Sequence, residues 1–139
     1  MKNKPTLADV MTADPETVHL GQPLSEVYVL LKDRTFHHVP VIEAGKPIGL
    51  VAASDILRLV YDAEGSDERQ LRIFLDHQFN IQDAMTEDVI TMRVDEPLRT
   101  AAELLGDGTV HSVVVVDDEG TLAGIVTTTD LIRVLHDLL

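Results

Sequence analysis

The sequence predicts a mixed α/β fold in which one strand–helix–strand–strand–helix (βαββα) unit occurs twice, with small sheets flanked by helices. The chain of 139 residues contains three pairs of similar segments in the same order. These are residues 7–12 and 81–86, 39–42 and 113–116, and 49–55 and 124–130. Because tandem copies usually pack so that each covers an apolar face of the other, we expect a pseudo-twofold axis and a functional site built from equivalent positions.

Composition excludes several classes of function. With 45% hydrophobic and 25% charged residues, the chain can bury a core and does not resemble a disordered protein. A formal charge of −13 argues against binding to nucleic acid or to anionic membranes, since both attract clusters of Lys and Arg. The lack of cysteine excludes disulfides and thiolate metal ligands. Neither a leader peptide nor a run of roughly 20 apolar residues is recognisable, so we expect a cytoplasmic protein.

The first copy is predicted to span residues 6–62. Its expected elements are an extended segment over 17–20, a helix over 23–34, strands over 39–42 and 48–53, and a helix through Val60. Pro23 stands in the first turn of its helix, where proline is tolerated, and apolar residues follow at helical spacing. Ser54 is expected to cap the last helix of the copy.

The second copy is predicted to span residues 80–139 and to repeat that order. Its expected elements are an extended segment over 89–94, a helix over 97–105, strands over 112–116 and 122–126, and a final helix capped by Thr129. Residues 63–79 join the copies. Because residues 68–79 have apolar side chains at helical spacing and are not rich in Gly, Ser or Pro, we expect a helical connector.

The order of these motifs resembles the CBS domain, the regulatory module of the cystathionine-β-synthase type, in tandem. The resemblance rests on Met-Thr, an apolar strand with proline, an acidic or Gly-containing turn, and Gly-apolar-apolar-Thr-x-x-Asp, all in order and nearly all present twice. It implies two CBS repeats that form a homodimer and bind AMP, ADP, ATP or S-adenosylmethionine in the cleft between the repeats. No effector domain is recognisable in this sequence, so we expect the output of such a sensor to be an unknown effector protein or the chain's own oligomer.

The stronger candidate site lies where an apolar strand ends and a helix begins, at residues 127–130. Hydroxyls and helix N-terminal N–H groups gather there, which suits a phosphate or another anion. The resemblance implies that Asp130 contacts ribose and that Thr127 lies near phosphate or ribose. The alternative is that these residues only cap the helix and complement its dipole. The residues expected at this site are Asp130, Thr127, Thr128, Thr17, Val18, His19, Phe36, His37, His38 and Pro40.

The equivalent site of the other copy is expected to be weaker, because Ala52 stands where the second copy has Thr127. The residues expected there are Asp55, Ser54, Val89, Ile90, Thr91, Val110, His111 and Ser112. Histidines, rather than arginines, are expected to be the basic residues near phosphate. Since imidazole is only partly charged at neutral pH, this favours AMP, ADP or a neutral-tailed adenosyl ligand over ATP and predicts a pH-sensitive affinity.

Metal binding and catalysis find little support in the sequence. His37 and His38 are adjacent on a strand and point to opposite faces, and the acidic residues 117–119 are expected to form a solvated turn, so we expect no metal site. The chain has no nucleophile elbow and no Walker loop, so we expect no enzyme activity. Two functions remain: a ligand-sensing regulatory module that relays occupancy to a partner, or a non-catalytic dimerisation or docking scaffold whose ligand sites have degenerated.

Overall fold

The computed structural model describes residues 4–32, 37–63, 65 and 67–139. The chain forms two compact units, which are described separately. Unit A consists of Glu16–Ala44 and Ile48–Asp88, and unit B consists of Met1–Pro15, Gly45–Pro47 and Val89–Leu139. The predicted mixed α/β fold with small sheets and flanking helices is confirmed.

Unit A contains most of the first copy and the connector. Its elements are α2 (Leu24–Lys32), β2 (His38–Glu43), β3 (Lys46–Ala52, whose first two residues belong to unit B), α3 (Ala53–Val60), a 3₁₀ turn (Tyr61–Ala63), α4 (Glu68–Gln78) and α5 (Ile81–Ala84). Strands β2 and β3 form a two-stranded sheet. The predicted extended segment over 17–20 is reduced to one parallel bridge between Val18 and Val41. The predicted helix end at Arg34 lies outside the described residues.

The core of unit A is aliphatic, as expected from a chain with few aromatic residues. The alternating strand residues Val39, Val41 and Val51 are fully buried and face helix α2. The remaining buried members of the cluster are Val18, Leu24, Val27, Leu31, Ile56, Leu75, Ile81 and Ala84.

The connector helix α4 is fixed to α2 at both ends. The Asp76 carboxylate accepts hydrogen bonds from the Ser25 backbone N–H (2.8 Å) and the Ser25 hydroxyl (2.6 Å) at the N-terminus of α2. At the other end of α2, Lys32 forms an ion pair with Glu68. The predicted helical connector is therefore part of the folded unit A.

Unit B contains a four-stranded sheet with the order β1-β6-β5-β4. Its elements are α1 (Leu7–Val10), β1 (Thr12–Ala13), β4 (Thr91–Arg93), α6 (Leu98–Gly106), β5 (Ser112–Val116), β6 (Leu122–Thr127) and α7 (Thr128–Leu138). Strands β4 and β5 are parallel, and the other pairs are antiparallel. The core consists of Leu7, Met92, Leu98, Ala101, Leu105, Val113, Val115 and Val126.

Each sequence copy places its first segment in the unit that holds the rest of the other copy. Leu7 is buried in the core of unit B, and its equivalent Ile81 is buried in the core of unit A. Both exchanges bring a methionine against a glycine: a Cβ on Gly124 would lie 2.6 Å from Met11 Sδ, and a Cβ on Gly49 would lie 2.5 Å from Met85 Sδ. At Gly124 a Cβ would also lie 2.7 Å from the Thr12 carbonyl oxygen, so the backbone requires glycine there. At Gly49 the backbone approach is milder, 3.2 Å to the Thr86 carbonyl oxygen, and a Cβ would chiefly displace the Met85 side chain. The boundaries 6–62, 63–79 and 80–139 remain a prediction about the sequence repeats.

Two predicted helix caps are wrong by two residues. Helix α7 is capped by Thr127 rather than Thr129, and α3 begins after Ala52 rather than at Ser54. In both cases the cap is the last extended residue of the strand, and its backbone N–H donates to the carboxylate of the third helical residue. Asp130 is therefore the third residue of its helix, not the first.

The helices and strands that the sequence did not predict are short. They are α1, β1 and α5, none of which is longer than four residues. Within the described ranges, no helix is long and apolar enough to cross a membrane.

Candidate functional site

In unit B, strand β6 passes directly into helix α7 at residues 127–130, here called the second junction. Asp130 Oδ2 accepts hydrogen bonds from the Thr127 N–H (2.8 Å) and the Thr127 hydroxyl (3.1 Å). The Asp130 N–H in turn donates to Thr127 Oγ1 at 3.3 Å. This reciprocal arrangement is a capping box, and it fixes the rotamers of both side chains.

The carboxylate of Asp130 lies mostly beneath the surface. The side chain is 10% exposed, and its Oδ1 lies 3.8 Å from Nη1 of Arg133, one turn further along α7. Since the cap engages Oδ2, Oδ1 is the oxygen placed to accept hydrogen bonds from a ligand hydroxyl. The α7 N-terminus beside it adds a partial positive charge.

In unit A, residues 52–55 form the equivalent first junction between β3 and α3. Asp55 Oδ2 accepts a hydrogen bond from the Ala52 N–H at 2.8 Å. Because alanine has no hydroxyl, the other half of the capping box is missing. Asp55 Oδ1 lies 3.6 Å from Nη1 of Arg58, and the Asp55 side chain is 14% exposed. The two junctions thus share their carboxylate and arginine but differ by two hydroxyls, because Ala52 and Ala53 stand where the second junction has Thr127 and Thr128.

Several predicted residues lie beside the second junction within unit B. Strand β5 begins next to the end of β6, where Ser112 pairs with Thr127. The Thr128 N–H donates to the His111 carbonyl at 3.2 Å, and the Ile90 carbonyl accepts from the Val114 N–H at 2.9 Å. Val89, Thr91 and Val110 belong to the same unit. The residues among these that were predicted as companions of Asp55 are Val89, Ile90, Thr91, Val110, His111 and Ser112.

The corresponding residues of the first copy lie in unit A. The Ala53 N–H donates to the His37 carbonyl at 2.9 Å, and the Val18 N–H donates to the Pro40 carbonyl at 3.1 Å. Thr17, His19, His38 and Ser54 belong to the same unit, whereas Phe36 lies outside the described residues. The pairing of Asp130 with these residues remains a prediction.

Burial separates the predicted residues by what they can contact. Val18 is fully buried and both of its backbone polar groups are hydrogen-bonded, so it is a core residue. Pro40 and Ser112 are also buried. The exposed group consists of His19, His37, Ser54, Thr91, His111 and Thr128, and the half-buried group consists of Thr17, His38, Val89, Ile90 and Val110.

Arg58 and Arg133 are charged neighbours of the two junctions that were not predicted. Each follows its aspartate by three residues on a helix, a spacing that brings two side chains onto the same face. Histidine was expected to be the basic residue near the site instead. The signal was therefore present in the sequence as Asp-x-x-Arg in both copies.

Among the described residues, no group of three or more His, Asp or Glu side chains is arranged to hold a metal ion. The Asp117 side chain closes the acidic turn at residues 117–119: its Oδ1 accepts hydrogen bonds from the backbone N–H groups of Glu119 (2.9 Å) and Thr121 (3.0 Å). Asp118 forms an ion pair with Arg93.

Comparison with known proteins identifies similar sequences and folds. The family profile described as "CBS domain" matches residues 7–62 and 81–137. The chain is similar to the CBS domain pair of protein MJ0100, solved with 5′-methylthioadenosine and S-adenosyl-L-methionine, with 25% identity, a TM-score of 0.80, and coverage of 99% of this chain and 100% of that one. It is also similar to CBSX2 of Arabidopsis thaliana, solved with AMP, with 25% identity, a TM-score of 0.79 and coverage of 96% and 97%.

Curated relatives include longer proteins named as enzymes. A homoserine O-acetyltransferase of Methanohalophilus mahii is 32% identical over 123 residues, which cover 88% of this chain but 23% of the relative. The first such relatives are matched over about a quarter of their length. The similarity therefore concerns one part of those proteins.

Proposed function

The chain belongs to the CBS domain family, and on that premise we propose that it is a regulatory module that binds an adenosine-containing small molecule and relays occupancy to a partner protein. The proposed ligands are AMP, ADP, ATP and S-adenosylmethionine. The module itself carries out no chemical step. Ligand binding acts on the partner by favouring one conformation over others, which requires tighter binding to that conformation.

The second junction is the observation that carries this proposal. Thr127 and Asp130 hold each other through the capping box, so the carboxylate is ordered before any ligand arrives. A fixed carboxylate acceptor suits the hydroxyls of a ribose, and the partial positive charge of the helix N-terminus beside it suits an adjacent anionic group. We therefore assign Asp130 to the ribose hydroxyls and Thr127 to the neighbouring ligand atoms.

Two solved relatives support the ligand class. The MJ0100 pair was solved with two adenosyl compounds and CBSX2 with AMP, and each aligns with nearly the whole of this chain. The ligands share an adenosine but differ in charge. They support an adenosyl ligand without selecting among the members of that class.

The first junction is proposed as the weaker site. It keeps the Asp55 carboxylate and its hydrogen bond from the Ala52 N–H, but it has no hydroxyl at the cap. One lost donor weakens binding without abolishing it, since a typical hydrogen bond contributes about 1 kcal/mol.

The test is a series of thermal melts with AMP, ADP, ATP and S-adenosylmethionine at millimolar concentration. A ligand that binds only the folded state stabilises it by about 2.7 kcal/mol at a hundredfold excess over its Kd. Asp130→Asn should reduce this shift strongly. The matched control is Asp9→Asn, because Asp9 Oδ2 accepts from the Thr6 N–H (2.8 Å) and hydroxyl (3.2 Å) in the same manner. If none of these ligands shifts the melt, the proposal is wrong.

A scaffold that forms homodimers is the second candidate. Helix α7 presents Ile132, Leu135 and Leu138 at 57%, 50% and 62% exposure, and their spacing gives an apolar stripe along one helix. Burial of this stripe against a second copy would stabilise a dimer. Light scattering of the wild type and of Leu135→Glu checks this, since the variant should be monomeric at concentrations where the wild type is dimeric.

A further inference from the structure

Methionine is the residue that supplies all the sulfur of this chain. The sequence has four methionines and no cysteine, so a peroxide finds no thiol to oxidise and methionine is its sulfur target. Met1 lies outside the described residues, and Met92 is buried in the core of unit B with 5% exposure. Met11 and Met85 are half-buried at equivalent positions of the two copies. These two are therefore the described methionines that an oxidant can approach.

Both side chains fill the same kind of space beside a strand. The Met11 Sδ and Cγ lie 2.6 Å and 3.0 Å from the point where a Cβ would stand on Gly124. The corresponding distances from Met85 to a Cβ on Gly49 are 2.5 Å and 3.0 Å. Each methionine also packs against the core cluster of its own unit. The contact with the glycine is therefore apolar and is made by the sulfur itself.

The residue after each methionine pairs with the residue after its glycine. Thr12 pairs with Ile125 in the antiparallel β1–β6 ladder. Thr86 exchanges two backbone hydrogen bonds with Leu50, at 2.9 Å and 3.0 Å. The segments attached in this way are short, since α1 and α5 have four residues each and β1 has two. Because short elements with few contacts open locally at a low cost in free energy, a change in the methionine should weaken this pairing.

Each methionine–glycine contact lies close to a junction. Gly124 precedes Thr127 by three residues, and Gly49 precedes Ala52 by three. Both strands pass directly into their helices at these residues. The strand backbone that receives the methionine is therefore continuous with the backbone that holds the aspartate of the junction.

We propose that Met11 and Met85 make the protein sensitive to peroxides, because their oxidation to the sulfoxide detaches the first segment of each copy from its strand and loosens the junction that follows. The sulfoxide is polar, and a polar oxygen without a hydrogen-bond partner is unfavourable beside an apolar core. The lower ligand affinity expected of the oxidised protein rests on the proposed function, whereas the loosening does not.

The chemistry of this step is a two-electron oxidation. Hydrogen peroxide transfers one oxygen to the sulfur as its O–O bond breaks, the sulfur gives up two electrons, and the other oxygen leaves as water. A methionine sulfoxide reductase reverses the step: two thiols become a disulfide, and the sulfoxide oxygen leaves as water. The device is therefore reversible.

The test treats the full chain with hydrogen peroxide and locates the added oxygen by peptide mass spectrometry. The oxidised wild type should melt about 5 °C or more below the reduced protein, and amides of β3 and β6 should exchange about tenfold faster or more. Treatment with methionine sulfoxide reductase and a dithiol should restore both values. In Met11→Leu only β3 should respond to peroxide, and in Met85→Leu only β6.

The matched control is the double variant with Met11→Leu and Met85→Leu. It keeps Met1 and Met92, and leucine has a volume similar to that of methionine, so its melt and exchange should not respond to peroxide. If the double variant does not fold, replacement of methionine by norleucine, which has the shape of methionine without the sulfur, serves as the control. An equal response of the control, oxidation of both methionines without faster exchange in β3 or β6, or no oxidation of either methionine would overturn the inference.

Titration of the reduced and oxidised wild type with AMP and with S-adenosylmethionine tests the consequence for ligand binding. The oxidised protein should bind the better ligand about tenfold more weakly, and equal affinities would overturn this consequence. If oxidation loosens the strands but the reduced protein binds neither ligand, the proposed function fails while the response to peroxide stands.

Discussion

At the scale of single residues, the helix cap at the junction differs between the two copies: it is Thr127 in the second copy and Ala52 in the first. Both residues have extended backbones, with φ/ψ of −118°/168° and −101°/160°, and both donate an N–H to the aspartate three residues later. Only Thr127 accepts a hydrogen bond in return. The two copies therefore show the same cap position with and without a hydroxyl in nearly the same backbone, and the residue after the cap differs as well, Thr128 against Ala53.

A reciprocal substitution tests this comparison. Thr127→Ala should lower the free energy of unfolding by about 1 kcal/mol, and Ala52→Thr should raise it by a similar amount, because Thr caps helices better than Ala by that margin. Equilibrium unfolding in denaturant measures both. Thr6→Ala removes the hydroxyl of another Thr–Asp box. Its effect on the free energy of unfolding gives the contribution of a cap hydroxyl outside the junctions. A loss of stability on Ala52→Thr would show that the first junction cannot accommodate a hydroxyl.

The sequence predicts that each strand passes into a capped helix, but the predicted caps, Ser54 and Thr129, lie two residues after the observed ones. The pattern Thr-x-x-Asp, which signals a capping box, places the cap at Thr127, whereas the expectation took the hydroxyl residue nearest the aspartate. The contact of Arg133 with Asp130 could also be predicted, because residues three apart on a helix lie on the same face. The burial of Val18 could not be predicted from the sequence, since it depends on the parallel bridge to Val41, which is distant in sequence.

At the scale of secondary-structure elements, α4 is the main asymmetry of the chain. It belongs to unit A, where Asp76 binds Ser25 and Glu68 binds Lys32. The hydrogen bond from Lys32, and then that from Arg72, hold the pKa of Glu68 below its ordinary value of 4.5. A carboxylate with a lowered pKa stabilises the folded state above its ordinary pKa, and this contribution is lost as the pH falls through the lowered value.

The prediction is that Glu68→Gln destabilises the protein at neutral pH and that its difference from the wild type disappears in acid. Unfolding of both proteins at about pH 7 and about pH 3 checks this. Because Glu68 is exposed, the effect should be small and should decrease in high salt. Glu103→Gln, which removes an exposed partner of Arg99, is the control. A difference that grows toward acid would contradict the assigned ion pair.

The longer elements were predicted because each contains its own periodic pattern. Helix α6 and strand β5 match the expectation to within one residue at each end. Helices α1 and α5 have four residues each, too few for a hydrophobic period to be recognised. Strand β1 has two residues and exists only through its pairing with β6, which no local pattern indicates.

At the scale of the whole molecule, the sequence repeats and the compact units do not coincide. Residues Met1–Pro15 belong to unit B although the rest of the first copy lies mainly in unit A, and residues 81–88 belong to unit A. The duplication predicted the fold class correctly because both copies share one pattern. It did not predict the exchange, because that depends on which of two similar surfaces each first segment covers.

Equivalent core substitutions test whether the first segment of each copy packs in the unit that holds the rest of the other copy. Leu7→Ala and Ile81→Ala should each cost about 2–5 kcal/mol, since both side chains are fully buried. In hydrogen exchange under native conditions, Leu7→Ala should lower the protection of backbone amides in β6 of the second copy. Ile81→Ala should instead lower the protection of amides in β2 and β3 of the first copy. Loosening of β2 and β3 by Leu7→Ala, with β6 unchanged, would contradict the exchange.

The central claim is that the second junction is the principal adenosyl site, and one calorimetric titration tests it most directly. Wild type, Asp130→Asn and Asp55→Asn are titrated with AMP and with S-adenosylmethionine, with Asp9→Asn as the capping control. We predict that Asp130→Asn loses at least tenfold in affinity for the better ligand and that Asp55→Asn loses much less. If Asp130→Asn binds as tightly as Asp9→Asn, the carboxylate serves only the helix cap and the claim is wrong.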